Sequence, residues 1–266
     1  MSNATEITMD GAQAGILLRR WDTEQPRRIL VIVHGYGEHG GRYEHVAQRF
    51  AADGAVVYAP DHRGHGRSDG ERALVTDIEQ LVDDVAAVIA HARSEHADLP
   101  VVVLGHSMGG IIAARLAQRP GHGLAGLILS SPAIGGNPAI EALLTMDPIP
   151  EVPIDPATLS RDLSVGEAYA NDPLVYHGPF KRETLNAMFA AIREIAEGPK
   201  LDMPTMWIHG ENDQLVPLPG AREAVERIRG ERYEERVYPE ALHELLNETN
   251  KDEVLDELAA FVDDVA

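Results

Sequence analysis

Short apolar runs recur along the chain at 29–33, 56–59, 101–104, 127–129 and 205–208. Continuous runs of this length suit strands buried on both faces of a parallel sheet, since a half-exposed strand would alternate. A more polar run at 235–238 completes this set. Upstream, runs at 7–9 and 16–21 flank Asp10-Gly11, the signature of an opening antiparallel hairpin. Between the strand signals lie helical periods. Leu81, Val82, Val85, Val88, Ile89 and Ala92 form one stripe, and Val254, Leu255, Leu258, Phe261, Val262 and Val265 form another. The neighbouring Asp83, Asp84, Asp256 and Glu257 read as solvated faces. Alternating strands and helices predict an α/β fold, a mostly parallel sheet with helices on both faces.

One stretch breaks the alternation. No strand signal appears between residues 134 and 200, and Pro148, Pro150, Pro153 and Pro156 make its middle irregular. Helices are expected only near 138–145 and 182–197. An insertion at this point would sit at the carboxyl end of the sheet, where open α/β folds bind ligands. The expected organisation is a core of residues 1–133 and 201–266 with a helical cap formed by 134–200.

Composition narrows the function classes. Acidic residues outnumber basic ones 43 to 23, a formal charge of −20, which excludes nucleic acid and anionic membrane as main partners because both would be repelled. The absence of cysteine excludes disulfides, thiolate metal sites and a thiol nucleophile. The N-terminus lacks the basic start and apolar core of a signal peptide, and no apolar stretch approaches the roughly 20 residues that span a bilayer. A cytoplasmic location is expected. The twelve histidines are scattered, with no metal-binding spacing, and no glycine-rich phosphate motif with its lysine occurs. No cofactor or metal is expected.

Chemistry concentrates in Gly105-His106-Ser107-Met108-Gly109, directly behind the run 101–104. This G-x-S-x-G setting turns a strand sharply into a helix and exposes the serine oxygen at the turn. A second match, Gly66-Arg67-Ser68-Asp69-Gly70, has loop on both sides and lacks that setting. Ser107 is therefore the candidate nucleophile. It needs a base and an acid to orient the base, and enzymes with this elbow order them serine, acid, histidine along the chain. His243 follows the last strand by a short loop and is the candidate base. His177 falls in the presumed cap, and His209 ends a strand as a packed histidine would. Asp213 is the candidate acid, with Glu211 in the same loop as the alternative. Two backbone N–H groups must face the developing oxyanion: Met108, after the nucleophile, and Tyr36, in the loop after 29–33. His34, His62 and His65 read as hydrogen-bonded loop residues.

Together with His34-Gly35-Tyr36-Gly37-Glu38-His39-Gly40-Gly41-Arg42-Tyr43, Pro60-Asp61-His62-Arg63-Gly64-His65-Gly66, His209-Gly210-Glu211-Asn212-Asp213 and His243-Glu244, the chain resembles the monoacylglycerol lipase and lysophospholipase branch of the α/β-hydrolases. The resemblance spans nearly the whole chain. It implies Ser107, Asp213 and His243 as triad and Tyr36 and Met108 as oxyanion donors. It also implies that Glu38 and Arg42 organise the polar end of the pocket near glycerol, against the alternative of an ion pair bracing the oxyanion loop. The cap departs from the resemblance, being shorter between Ser131 and Ser160, Pro-rich and acidic. An acyl tunnel is expected from its apolar residues Ile140, Leu143, Leu144, Met146, Ile149, Val152 and Ile154, with Leu143, Met146 and Ile149 as substrate contacts. The reduced cap implies at most weak or transient membrane contact. The expected activity is hydrolysis of a monoacylglycerol or similar small lipid ester through an acyl-enzyme. The alternatives are a general carboxylesterase or lysophospholipase, and a non-catalytic binding protein of the same fold.

Overall fold

A computed structural model describes residues 4–266. Among them, eight strands form one sheet: β1 (Thr5–Asp10), β2 (Gly15–Trp21), β3 (Arg28–Val33), β4 (Ala55–Pro60), β5 (Val101–His106), β6 (Gly126–Ser130), β7 (Thr205–Gly210) and β8 (Tyr233–Tyr238). Their order is β1-β2-β4-β3-β5-β6-β7-β8. β1 and β2 pair antiparallel, as does β2 with β4. Every pair from β4 to β8 is parallel. Each expected strand is present, extended by up to two residues at either end.

The central strands are buried on both faces, and their alternation divides the core into two layers. Ile29, Val31 and Val33 join Val101, Val103, Leu127 and Leu129 beneath α2 (Ile78–Glu95), α3 (Met108–Gln118) and α7 (Leu218–Ile228). Leu30 and Ile32 point the other way, with Val102, Leu104 and Ile128, beneath α1 (Glu44–Ala52) and α8 (Lys251–Val265). At one edge, β8 alternates inward residues with exposed Glu234 and Arg236, charges that discourage a further strand from pairing there. One expectation needs correcting. Asp84 is not on a solvated face but is 4% exposed. Its Oδ1 accepts from the Ala12 N–H at 2.5 Å and so fastens the β1–β2 turn to α2.

The stretch 134–200 divides into two physically different parts. Its first part comprises α4 (Pro138–Ala142), single 3-10 turns at Leu143–Thr145 and Pro156–Thr158, and α5 (Leu163–Asn171). This part has only a small apolar cluster of its own, Leu159, Tyr169 and Val175. Its second part, α6 (Arg182–Glu197), belongs to the core layer, because Ala187, Ala191 and Ile195 pack with α2 and α3. Buried polar bonds lock α6 in place. Thr184 Oγ1 donates to the Ala73 carbonyl at 2.8 Å and accepts from the Val75 N–H at 2.9 Å. Gln118 Nε2 donates to the carbonyls of Ile195 and Pro199, both at 2.9 Å. Thr184→Val keeps the shape but strands the buried Val75 N–H, so denaturant unfolding should show a loss of about 1–3 kcal/mol. An unchanged midpoint would remove this bond from the account of how α6 is held.

Candidate active site

The carboxyl ends of β3, β5, β7 and β8 converge on one cavity of ≈70 Å³, lined by Tyr36, Glu38, Arg42, His106, Ser107, His243 and Glu244 on its polar side. Ser107 sits at the β5–α3 turn with φ 54° and ψ −118°. A β-carbon cannot occupy the left-handed region without strain, so the turn must be held from outside. Three bonds do this: the Ser107 N–H donates to the Ser130 carbonyl at 3.0 Å, and the Ser107 carbonyl accepts from Gly110 at 2.9 Å and Ala133 at 3.0 Å. Both flanking glycines are forced by close approach. A methyl at 109 would collide with the Val33 carbonyl, and one at 105 would lie 2.7 Å from the Ala113 methyl.

His243 reaches the same cavity from the loop after β8. Its Nδ1 donates to Asp213 Oδ2 at 2.7 Å, which leaves Nε2 as the basic nitrogen of the neutral ring. Asp213 is fixed in turn, its Oδ1 accepting from the N–H groups of Leu215 and Val216, both at 2.9 Å. Glu211, the alternative acid, is exposed, and its carboxylate meets only the Glu240 N–H at 3.4 Å. His209 is a packed histidine, held between Trp207 Nε1 at 3.2 Å and the Val216 carbonyl at 2.9 Å. His177 is exposed on the cap. Ser68 serves its own loop, donating to the Asp61 carbonyl at 2.6 Å and accepting from Leu17 at 2.8 Å. Among the described residues no acceptor is recorded for the N–H groups of Tyr36 and Met108; Met108 follows Ser107 in the chain, and Tyr36 lines the same cavity.

Residues 24–250 match the hydrolase family described as serine aminopeptidase, S33. A monoacylglycerol lipase of Mycolicibacterium smegmatis is 38% identical over 91% of this chain and 89% of its own. A monoglyceride lipase of Homo sapiens is 35% identical over 88% and 81%. Among solved structures, the monoacylglycerol lipase of Paleococcus ferrophilus superposes with a TM-score of 0.79 at 25% identity, covering 94% of this chain and 99% of that one. The chain belongs to the monoacylglycerol lipase branch of the α/β-hydrolases.

In this hydrolase the loop after β3 is a buried hydrogen-bonded unit. His34 Nδ1 donates to the Gly35 carbonyl at 2.8 Å, and His34 Nε2 accepts from the His62 N–H at 2.9 Å. Burial pushes the His34, His62 and His65 pKa values down, His62 to about 3, so all three are uncharged. Glu38 and Arg42 line the cavity and also form an ion pair, Arg42 Nη1 to Glu38 Oε2, at 2.7 Å. Glu38 Oε1 accepts from the Gly35 N–H at 2.6 Å and the Tyr43 hydroxyl at 2.7 Å. The ion-pair brace on the loop after β3 is thus present in the geometry.

The apolar wall differs from expectation. Ile140 and Ile154 reach the cavity, joined by Leu159, Phe180, Met188, Leu215 and Val216. Leu143, Met146 and Ile149 do not. Arg182 donates to the carbonyls of Leu144, at 2.7 Å, and Met146, which turns this segment away from the cavity and leaves Met146 44% exposed. Lining residues that sequence reasoning missed include Leu159, Tyr169, Phe180, Met188, Leu215 and Val216 on the apolar side, and His106 and Glu244 on the polar side. His106 and Glu244 had a signal, as neighbours of the elbow serine and of the candidate base.

Electrostatics distinguish the two histidines of the cavity. Burial is the strongest influence on His243 and opposes its charge, but Asp213, Glu244 and Glu38 together outweigh it and hold the pKa above the ordinary value. His106, tilted against His243 with ring centres 4.7 Å apart, has no such partner, and burial together with His243 pushes it down to about 4. A base must be neutral to accept a proton, so kcat/KM for ester hydrolysis should fall as pH drops through the raised His243 value. In Asp213→Asn that acidic limb should move to lower pH and kcat should fall about 10³–10⁴-fold. An unmoved limb in a pH–rate profile would show that another group controls it.

Proposed function

We propose that this hydrolase cleaves the ester bond of monoacylglycerols, releasing a fatty acid and glycerol through an acyl-enzyme. The carrying observation is the strained Ser107 facing the same cavity as His243, whose other nitrogen is bonded to Asp213. The similar proteins of Mycolicibacterium smegmatis, Homo sapiens and Paleococcus ferrophilus are monoacylglycerol lipases, which supports the same substrate class. Ser107 Oγ attacks the carbonyl carbon as His243 Nε2 takes its proton, and the N–H groups of Tyr36 and Met108 hold the oxyanion. His243 then returns the proton to the leaving alcohol. In the second half-reaction it takes a proton from water, whose oxygen attacks the acyl-enzyme and frees Ser107.

The segment 134–200 acts as the cap in this reading, with α6 as its fixed wall and the part before it as the cover. At ≈70 Å³ the cavity is below the several hundred Å³ that ligand pockets usually offer. A long acyl chain therefore requires apolar cap side chains such as Ile140, Ile154 and Phe180 to part. The same small volume favours a second reading, a carboxylesterase for short acyl esters. No helix among the described residues is long and apolar enough to cross a membrane. Contact with a lipid surface is transient, through exposed Met146, Val152 and Leu163, and the location is cytoplasmic.

A fluorophosphonate probe should label the wild type and Ser68→Ala, and Ser107→Ala should abolish labelling; equal labelling of Ser107→Ala would sink the assignment. Hydrolysis rates across a chain-length series of monoacylglycerols and matching p-nitrophenyl esters then separate the two readings. Preference for medium or long monoacylglycerols supports the lipase, whereas activity confined to short activated esters supports the carboxylesterase.

A further inference from the structure

The cap is fastened to the loop that carries His243. Leu159, Ser160 and Arg161 run between the turn at Pro156–Thr158 and α5, and each bonds the segment 242–250. The Leu159 carbonyl accepts from the Glu244 N–H at 2.7 Å. Ser160 Oγ donates to the Asn247 carbonyl at 3.0 Å and accepts from the Asp162 N–H at 3.0 Å. Arg161 Nε donates to Glu248 Oε2 at 3.0 Å, and the Arg161 N–H donates to Glu248 Oε1 at 3.2 Å. The Glu248 side chain is fully buried, whereas that of Arg161 is 30% exposed.

Glu248 does more than pair with a guanidinium. Its Oε1 also accepts from the Leu242 N–H and its Oε2 from the Thr249 N–H, both at 2.8 Å. Burial pushes its carboxyl up, but these bonds and Arg161 outweigh burial and hold it below the ordinary range, so it stays ionised. Leu242 and Glu244 are the two chain neighbours of His243. Both of their N–H groups end on this junction, one on Glu248 and the other on the Leu159 carbonyl. Asp213 comes from a different loop, the one after β7, so its contact with His243 depends on where the base loop is fixed. The Asn212 N–H donates to the Ala241 carbonyl at 3.0 Å, which fixes the start of the base loop and leaves His243 to the junction with the cap.

Resting on His243 as the base of the proposed ester hydrolysis, we infer that Arg161 and Glu248 are positioning residues that hold His243 on Asp213 from the cap side. The stretch 159–161 stays on the base loop while apolar side chains before it, such as Ile140 and Ile154, part for an acyl chain. The cap thereby covers the cavity and also sets the geometry of the base.

The test follows the rate constant for labelling by a small fluorophosphonate, in which Ser107 Oγ displaces fluoride from phosphorus as His243 takes the proton. The labelled endpoint measures the folded amount, so the rate constant does not depend on how much of a variant folds. Arg161→Met keeps the apolar stem and removes the guanidinium. Its rate constant should fall at least about tenfold, since a misplacement of about 1 Å can cost about 10²-fold. Its acidic limb should move to lower pH by about half a unit or more, because a base loosened from Asp213 loses the carboxylate that raises its pKa. The direct effect of losing a nearby cation has the opposite sign and would move the limb to higher pH. His243 faces Asp213 and His209 from β7 and its loop, His106 from β5, Glu38 from the loop after β3, and its neighbour Glu244. Among the described residues none of these bonds Arg161 or Glu248, so the limb reports where the base loop sits.

Arg161→Lys should recover most of the rate and restore the limb, and Glu248→Gln should slow labelling as Arg161→Met does. Either of the two slowed variants that folds decides the rate. Thr184→Val weakens α6 without touching the base loop and should label at the wild-type rate. A wild-type rate constant in Arg161→Met or Glu248→Gln overturns the inference alone. So does a slowed Arg161→Met whose limb is unmoved or raised, or equal slowing in Thr184→Val. A wild type that does not label overturns the proposed function with it.

Discussion

The turn between β5 and α3 is the constraint on which the site depends. Ser107 is held with φ 54°, a conformation costing of order 1–3 kcal/mol for a residue with a side chain. It persists because the sheet surrounds it: the Ser130 carbonyl, Gly110 and Ala133 each bond its backbone. The close packing of α3 on β3 leaves no room for a side chain at 109. A looser elbow would lower the strain and swing the oxygen out of the cavity. The central strands, buried on both faces, thus provide the rigidity that a strained turn needs.

Around that turn, charge and hydrogen bonds join loops that are far apart in the chain. Glu38 ties the loop after β3 to Arg42, and Arg42 grips Glu244 beside His243. The positions of Tyr36 and His243 are therefore mechanically linked. Asp61 fastens the same region from behind, accepting from the Gly40 N–H at 2.9 Å and the Arg67 N–H at 2.8 Å while paired with Arg19. Removing one partner from such a buried network leaves the other charge uncompensated, which costs far more than a surface pair. The loop after β3 consequently has little freedom, which suits the oxyanion role proposed for it.

Elements whose periodicity was strong were legible before any coordinates. The sheet strands, the stripes on α2 and α8 and the strand–turn–helix around Ser107 follow from local pattern, because burial on one or both faces leaves a regular trace. α1, α5 and α7 were not read, and the reason is visible in their composition. α7 buries only Ala221, Val225 and Ile228 among its charged residues, and α5 buries only Tyr169 in a run of small and polar ones, so neither shows a clear apolar stripe. Asp84 failed for a related reason: its acidic side chain suggested solvent, but a turn 72 residues earlier in the chain supplies its partner.

The chain by itself determined the fold class and pointed to the candidate nucleophile, base and acid-bearing loop that meet in one cavity, because each follows from residue type, local pattern and order. The choice of Asp213 over Glu211 needed tertiary structure, since only the path of the loop decides which carboxylate meets His243. The same holds for the cavity wall. Ile140 and Leu143 are equally apolar neighbours, yet only Ile140 lines the cavity, and Arg182 holds the backbone that follows at 144 and 146. The charge cluster at the polar end of the cavity is likewise a three-dimensional property. Glu38, Arg42 and Glu244 are separated by up to 202 residues, and no local pattern reports that folding makes one guanidinium serve two carboxylates.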